Sequence, residues 1–363
     1  MICQSACSSC SQETSASSRS VWRRAMADSV GTEHNLPRRA PAAEASPRRN
    51  GAAASSSPTF GRIGPRETQV SGWAWRRSDV AVDWVRLQQR LREGEYTPPQ
   101  EHRLSDLTAQ LTRMLGDPDP EIRDGLAYPL LATWIEHGAY DDLLAGLGDG
   151  MCAGLSIGIG ESGTDSVFRR SFSALVLAEC IDRDTLVRRQ PPSRILEWGD
   201  RLAAWFVRER DLRGFVDGRG WAHAAAHGAD ALGALARSPY FGATELTVLL
   251  DVIADRVLDP ATPLLVHGEP DRIAHAVMEI LRRDRVPLTV VEPWVNRIEA
   301  GARGRTRGGG DPFLRTGNAQ AVLRALYLQL AVSPEHPGVR SDLLLVLVAS
   351  LRRVHPALLD RRV

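Results

Sequence analysis

The chain has 363 residues, 25% of them charged and 43% hydrophobic, and its 45 basic and 44 acidic side chains leave a formal charge of +1. That composition is ordinary for a soluble globular chain and excludes collagenous, wholly disordered and disulfide-scaffold classes. The longest apolar run, residues 343–351, is far short of the roughly 20 residues a membrane helix needs, and Arg352 and Arg353 follow it, so no membrane segment is expected.

The near-neutral total is a sum of unlike parts. Residues 1–78 hold eleven Arg, five acids and fifteen Ser but only seven Leu, Ile, Val or Phe, a net charge of +6; residues 79–363 hold 34 Arg and 39 acids, a net charge of −5. So few large apolar side chains cannot offset the entropy of ordering a segment, so 1–78 reads as a disordered Ser/Arg/Pro-rich extension. Among a targeting peptide, a basic arm and a start assigned too far upstream, with Met26 as one possible true start, the last is favoured. The modest, scattered charge argues against nucleic-acid binding. The basic residues are all Arg, a codon bias expected of a bacterial gene. Cys3, Cys7 and Cys10 have the spacing of a radical iron–sulfur site but lie in a Ser-rich tail, whereas Cys152 and Cys180 read as buried thiols of a reducing, cytoplasmic compartment.

From Asp79 onward the periodicity is helical, without convincing period-two alternation. Ser105 is expected to cap a helix over residues 106–115. Asp119 and Pro120 open the next, which Pro129 should kink and Gly138 close. Further helices are expected at about residues 141–155, 165–182, 193–210, 221–237, 244–258, 270–284, 290–300, 317–332 and 338–354. Many connections are short, which puts neighbours side by side and antiparallel. Asp117-Pro-Asp-Pro-Glu resembles the start of a HEAT-type repeat. No fixed period recurs, so the expected fold of 79–363 is all-α, an irregular α–α superhelical (HEAT/armadillo-like) array in one domain.

Gly158-Ile-Gly160-Glu-Ser-Gly163, before a helix that Thr164 could cap, is formally a dinucleotide fingerprint. A helical segment precedes it where a strand is required, and Glu161 would repel a pyrophosphate, so no nicotinamide dinucleotide is expected. As an interhelical loop it could still turn Glu161 and Asp165 toward a cleft.

The richest stretch runs from Arg219 through Trp221, His223 and His227 to Asp230. On a helix His223, His227 and Asp230 fall within about 60° of one another, with Trp221, Leu232 and Leu235 opposite. Ala and Gly fill the rest, which suggests a central helix whose polar groups must find partners. One reading is a buried His–Asp network. The other is a site in which His223 and His227 hold a divalent metal, completed by Glu161, Asp165, His267 or Glu269. Replacement of the usual zinc-protease Glu by Ala224, and a span of about 10.5 Å from His223 to Asp230, weigh against the second. Ile273, Val277 and Ile280 mark a buried stripe that leaves Asp271 and His275 on the solvent face beside Glu279 and Arg282, while His267 and Glu269 are freer to reach a site. No Ser-His-Asp arrangement is supported.

Leu126-Ala-Tyr-Pro129, Glu161-Ser-Gly-Thr-Asp165 with Phe168-Arg-Arg-Ser-Phe172, and Arg219-Gly-Trp-Ala-His223 continuing to His227 and Asp230, resemble the bacterial domain-of-unknown-function family 2785 over about residues 100–355. The resemblance implies a helical fold and assigns no activity, cofactor or catalytic residue. The sequence thus points to a cytoplasmic interaction or scaffold module with an unknown protein partner and a polar His/His/Asp pocket, no cofactor being predicted. The alternative is a metal-dependent hydrolase at the same pocket.

Overall fold

A computed structural model describes residues 81–304 and 311–359. The extension 1–78, with Met26 and the Cys3/Cys7/Cys10 spacing, lies outside these residues.

The described chain is helical, apart from one short hairpin. Helix α1, Trp84–Arg92, begins at Asp83, whose carboxylate accepts the Arg86 N–H at 3.0 Å. Helix α2, Leu104–Met114, starts two residues earlier than expected: Arg103 is its cap residue, without a side-chain bond, and Ser105 lies inside the first turn. Asp119 does cap α3, Pro120–Ile122, accepting from the Glu121 N–H at 2.9 Å. The expected kink at Pro129 takes the form of a π-turn over Arg123–Ala127 before α4, Tyr128–Glu136. Proline lacks the N–H that Gly125 O would receive and its ring crowds that carbonyl; Gln88 Nε2 donates to Gly125 O instead, at 2.6 Å.

The remaining helices are α5 Leu144–Gly154, α6 Ser166–Val187, α7 Pro192–Arg208, α8 Ala224–Arg237, α9 Ala243–Leu258, α10 Glu269–Leu281, α11 Leu288–Arg303, α12 Pro312–Val332, α13 Arg340–Val354 and α14 Pro356–Leu359. Even-numbered helices from α4 to α12 pack against one another in one row, and odd-numbered helices from α5 to α13 in a second, with the core between. In the first row, α8 is made almost wholly of apolar or small residues and is the most completely buried. Cys152, on α5, and Cys180, on α6, are free and buried; loss of solvation pushes the Cys152 thiol up to about 12. Among the described residues no helix is long and apolar enough to cross a membrane.

Further boundaries depart from expectation. Helix α12 begins at Pro312 because Asp311 accepts the Phe313 N–H at 2.9 Å, a cap-plus-proline signal like that of α3. Residues 221–223 are not helical. Phe215–Val216 (β1) pairs antiparallel with Gly220–Trp221 (β2), with Phe215 opposite Trp221, and the helix follows only at Ala224. Two residues per strand are too few to register as alternation.

Candidate functional site

The site is built on the segment joining α7 to α8. Its first residue, Glu209, ends α7 and is 1% exposed. The carboxylate receives Arg170 Nε at 2.5 Å and Nη2 at 2.9 Å, Trp205 Nε1 at 2.9 Å, and the N–H groups of Arg210 and Asp211 at 2.9 Å each. Arg170 also donates to Ile157 O and Gly158 O, so this buried pair ties the segment to the loop before α6. Asp211 repeats the tie, accepting the Gly163 N–H at 2.8 Å and pairing with Arg213. At the far end Arg123, stacked 4.0 Å over Phe168, donates to Arg219 O at 2.7 Å and holds the hairpin.

This framework redistributes the residues expected to share a face. Glu161 is taken by its own loop, accepting from Ser166 at 2.6 Å and Thr164 at 2.8 Å, bonds that hold its carboxyl below the usual range. Thr164 is therefore spent on Glu161 and does not cap α6; Asp165 stands at that position, without a capping bond, and pairs with Arg219. Neither acid joins the histidines. The glycine-rich loop itself follows helix α5 and no strand.

His223 is not on the helix. It is the residue preceding α8, with φ +47° and ψ 35°, the left-handed region that costs a non-glycine residue about 1–2 kcal/mol. Trp221, expected opposite, stacks on its ring at 4.2 Å. His227 turns inward. Ser171 Oγ donates to Ala222 O and lies 2.7 Å from His227 Nδ1, so Nδ1 is the protonated nitrogen and the buried Nε2 is a lone pair without a partner. Phe172 meets the His227 ring edge-on at 5.0 Å. Asp230 faces α10 instead, where Arg272 Nε donates to it at 2.7 Å. The row of His223, His227 and Asp230 is thus divided among three environments, and the two imidazoles stand 5.9 Å apart and nearly perpendicular.

The residues that the structure does bring to His223 are Glu269 and His267. Glu269 opens α10 and is 1% exposed; its Oε2 accepts the His267 N–H at 2.7 Å. Its Oε1 lies 3.9 Å from His223 Nε2 and 3.9 Å from His267 Nδ1, too long for hydrogen bonds. Neither ring nitrogen of His223 has a partner of hydrogen-bonding geometry. Gly214 allows this grouping: a Cβ there would stand 2.3 Å from His267 Nδ1 and 2.8 Å from Glu269 Oε1. Glu269 and His267 border a cleft of about 260 Å³ whose other walls include Asp211, Arg213, Phe215 and Leu264, with His223 and Trp221 packed behind them. Asp211, Arg213, Gly214 and Phe215 were not anticipated; the alternating acid-x-acid-x-base of Glu209, Asp211 and Arg213 after a helix end was the available signal. Among the described residues no group of three or more His, Cys, Asp or Glu is arranged to hold a metal ion. On the second cluster, His275 approaches Glu279 at 3.8 Å, and Asp271 is exposed.

Burial pushes the His223 imidazole down from 6.5 to about 3, with the charges of Arg272 and His267 adding to it. The ring is neutral at pH 7. Between pH 6.5 and about 3 the unfolded chain takes up a proton that the folded chain refuses, so the stability is whole above pH 6.5 and drains as pH falls toward 3. In urea unfolding at successive pH values, His223→Asn should lose stability less steeply over this window, by roughly 1.4 kcal/mol per unit. Equal slopes would mean that His223 titrates as in water.

No curated protein and no solved structure matches the chain. The matched span of a family model is narrower than the 100–355 read from the sequence and leaves out Leu126–Pro129, yet it holds Asp211, His223, His267 and Glu269. Over residues 155–328 the chain is similar to the family described as Protein of unknown function (DUF2785), the resemblance its sequence carries.

Proposed function

We propose that this helical chain is an interaction module that receives its ligand in the cleft at Glu269, and not along a His223/His227/Asp230 row. One observation carries the reading: Glu269 is a 1% exposed carboxylate on a cleft wall, with no guanidinium paired to it. Among the described residues, each other acid of comparable depth has a guanidinium or two backbone N–H donors. Asp124 has Arg123, Glu209 has Arg170, Asp211 has Arg213, and Asp184 takes two backbone N–H groups. Burying a charge without compensation is costly, and a protein retains such a group where a ligand completes it. The left-handed His223 behind it adds a second local cost of the kind that collects at binding sites.

The test is a thermal-melting screen of small polar metabolites against the intact protein and His267→Ala, a change at a partly exposed position. A ligand at a hundred times its Kd adds about 2.7 kcal/mol, a rise of several degrees. The expected result is a compound that stabilises the intact protein and stabilises the variant less. A panel that moves both proteins alike, or neither, would sink the proposal. Stoichiometric Zn, Mn or Fe lost in His223→Asn would instead favour the metal-dependent hydrolase.

A further inference from the structure

The charges around the cleft narrow the class of ligand, an argument that rests on the pocket reading above. Arg213 is paired with Asp211, through Nε at 2.8 Å and Nη2 at 2.6 Å, and Arg210, also on the cleft wall, pairs with Asp259 at 3.2 Å. Behind the wall Arg272 is occupied by Asp230. Of the acids on the cleft wall, Glu269 is the one without a guanidinium partner among the described residues. An anionic ligand would meet the Glu269 carboxylate on this wall. A neutral hydroxyl could bond to it but would leave the charge uncompensated.

The two oxygens of Glu269 are not equivalent. Oε2 is engaged by the His267 N–H, whereas Oε1 is the atom that faces both imidazoles at 3.9 Å. A guanidinium binds a carboxylate best through both oxygens at once, while an ammonium is a compact charge that needs one. The His267 imidazole, on the cleft wall, can offer a ring nitrogen to a further ammonium hydrogen. Phe215, 39% exposed on the same wall and braced edge-on by Trp221 at 5.0 Å, supplies an aromatic surface of the kind cations favour. The volume of about 260 Å³ lies just under the roughly 300–1,000 Å³ of pockets for drug-sized ligands, which sets the ligand at metabolite size.

We infer that this cleft binds a small primary amine, its ammonium group seated on Glu269 Oε1 beside His267 and its carbon chain against Phe215. Glu269 is the recognition residue; His223 lies behind the wall, its Nε2 3.9 Å from Oε1.

Four four-carbon probes of matched shape test the assignment on the full chain: n-butylamine, 1-butanol, n-butylguanidine and butyrate. Binding is read by saturation-transfer NMR and by the shift in melting temperature. Butylamine should bind at least tenfold more tightly than butanol or butyrate and more tightly than butylguanidine, and its binding should weaken as salt is raised. Glu269→Gln, which keeps the shape, should weaken butylamine by roughly ten- to a hundredfold, the range for a hydrogen bond to a charged group. His267→Ala gives a second variant at a partly exposed position, with a smaller loss. Circular dichroism melts of both variants establish that they are folded. Butanol binding as well as butylamine, no binding of butylamine, or butylamine binding unchanged in Glu269→Gln would each overturn the amine assignment. The pocket reading fails separately: a neutral or anionic metabolite from the melting screen that depends on His267 would preserve the pocket and remove the amine.

Discussion

Replacing Glu209 by Ala should cost about 3–5 kcal/mol of folding stability, the range for breaking a buried ion pair by removing one member. The carboxylate is the hub of five hydrogen bonds, two from Arg170, one from the Trp205 indole and two from the backbone at Arg210 and Asp211. Its removal leaves the fully buried Arg170 guanidinium without a counter-charge and the two N–H groups without an acceptor. Arg170→Met should be comparably costly for the converse reason. The double variant should cost clearly less than the sum of the two, because neither charge is then left buried alone. Urea unfolding of the three variants measures this; costs that simply add would mean that the pair does not act as a unit. The effect should also reach the cleft, since Asp211 and Arg213 hang from the same anchored segment.

Gly228→Ala should destabilise the protein by about 2 kcal/mol, although alanine is the better helix former by about 1 kcal/mol. The added Cβ would stand 2.3 Å from the Phe206 ring and 3.1 Å from Trp205, two large side chains held inside the core. Gly233, on the same helix, provides the internal control. A Cβ there meets its nearest atoms at 3.6 Å, ordinary contact, so Gly233→Ala should be neutral or stabilising by up to about 1 kcal/mol. Denaturant midpoints of the two single variants decide the matter: a Gly228→Ala protein as stable as the parent would show that α7 can retreat from α8. The opposite signs expected at two glycines of α8 express what its Ala/Gly composition is for. Small residues let α7, α6 and α10 close upon it.

Much of the architecture could be read along the chain because the signals that set it are local. Asp119-Pro120 starts a helix by supplying an acceptor to the first free N–H groups and a residue whose φ already suits the first turn. The stripe of Ile273, Val277 and Ile280 locates the buried face of α10 from spacing alone. Where a local signal was misread, a competing bond explains it. Thr164 had the chemistry of a cap, but Glu161 three residues earlier captured its hydroxyl. Ser105 lost the cap position when α2 began at Leu104.

The site was legible only in its parts. His223, Trp221, His267 and Glu269 each stood out as residue types capable of chemistry, and His267 and Glu269 were recognised as free to approach a site from their loop. Their grouping was not recoverable, because it depends on where α8 begins. A helix extended back to Trp221 puts His223, His227 and Asp230 on one face. The hairpin pinned by Arg123 at Arg219 and by Asp211 at Gly163 halts the helix at Ala224 and swings His223 through a left-handed turn toward α10. Those pins are 96 and 48 residues distant in sequence. By itself, then, the sequence determined an all-helical body, its principal boundaries, its buried stripes and its likeness to a helical family, all properties of neighbouring residues and their periodicity. Only the tertiary structure decided that His227 belongs to Ser171 and Asp230 to Arg272, and that His223 lies beside Glu269. Partners of buried polar groups are chosen by which helices are packed together, and no spacing along one helix contains that information.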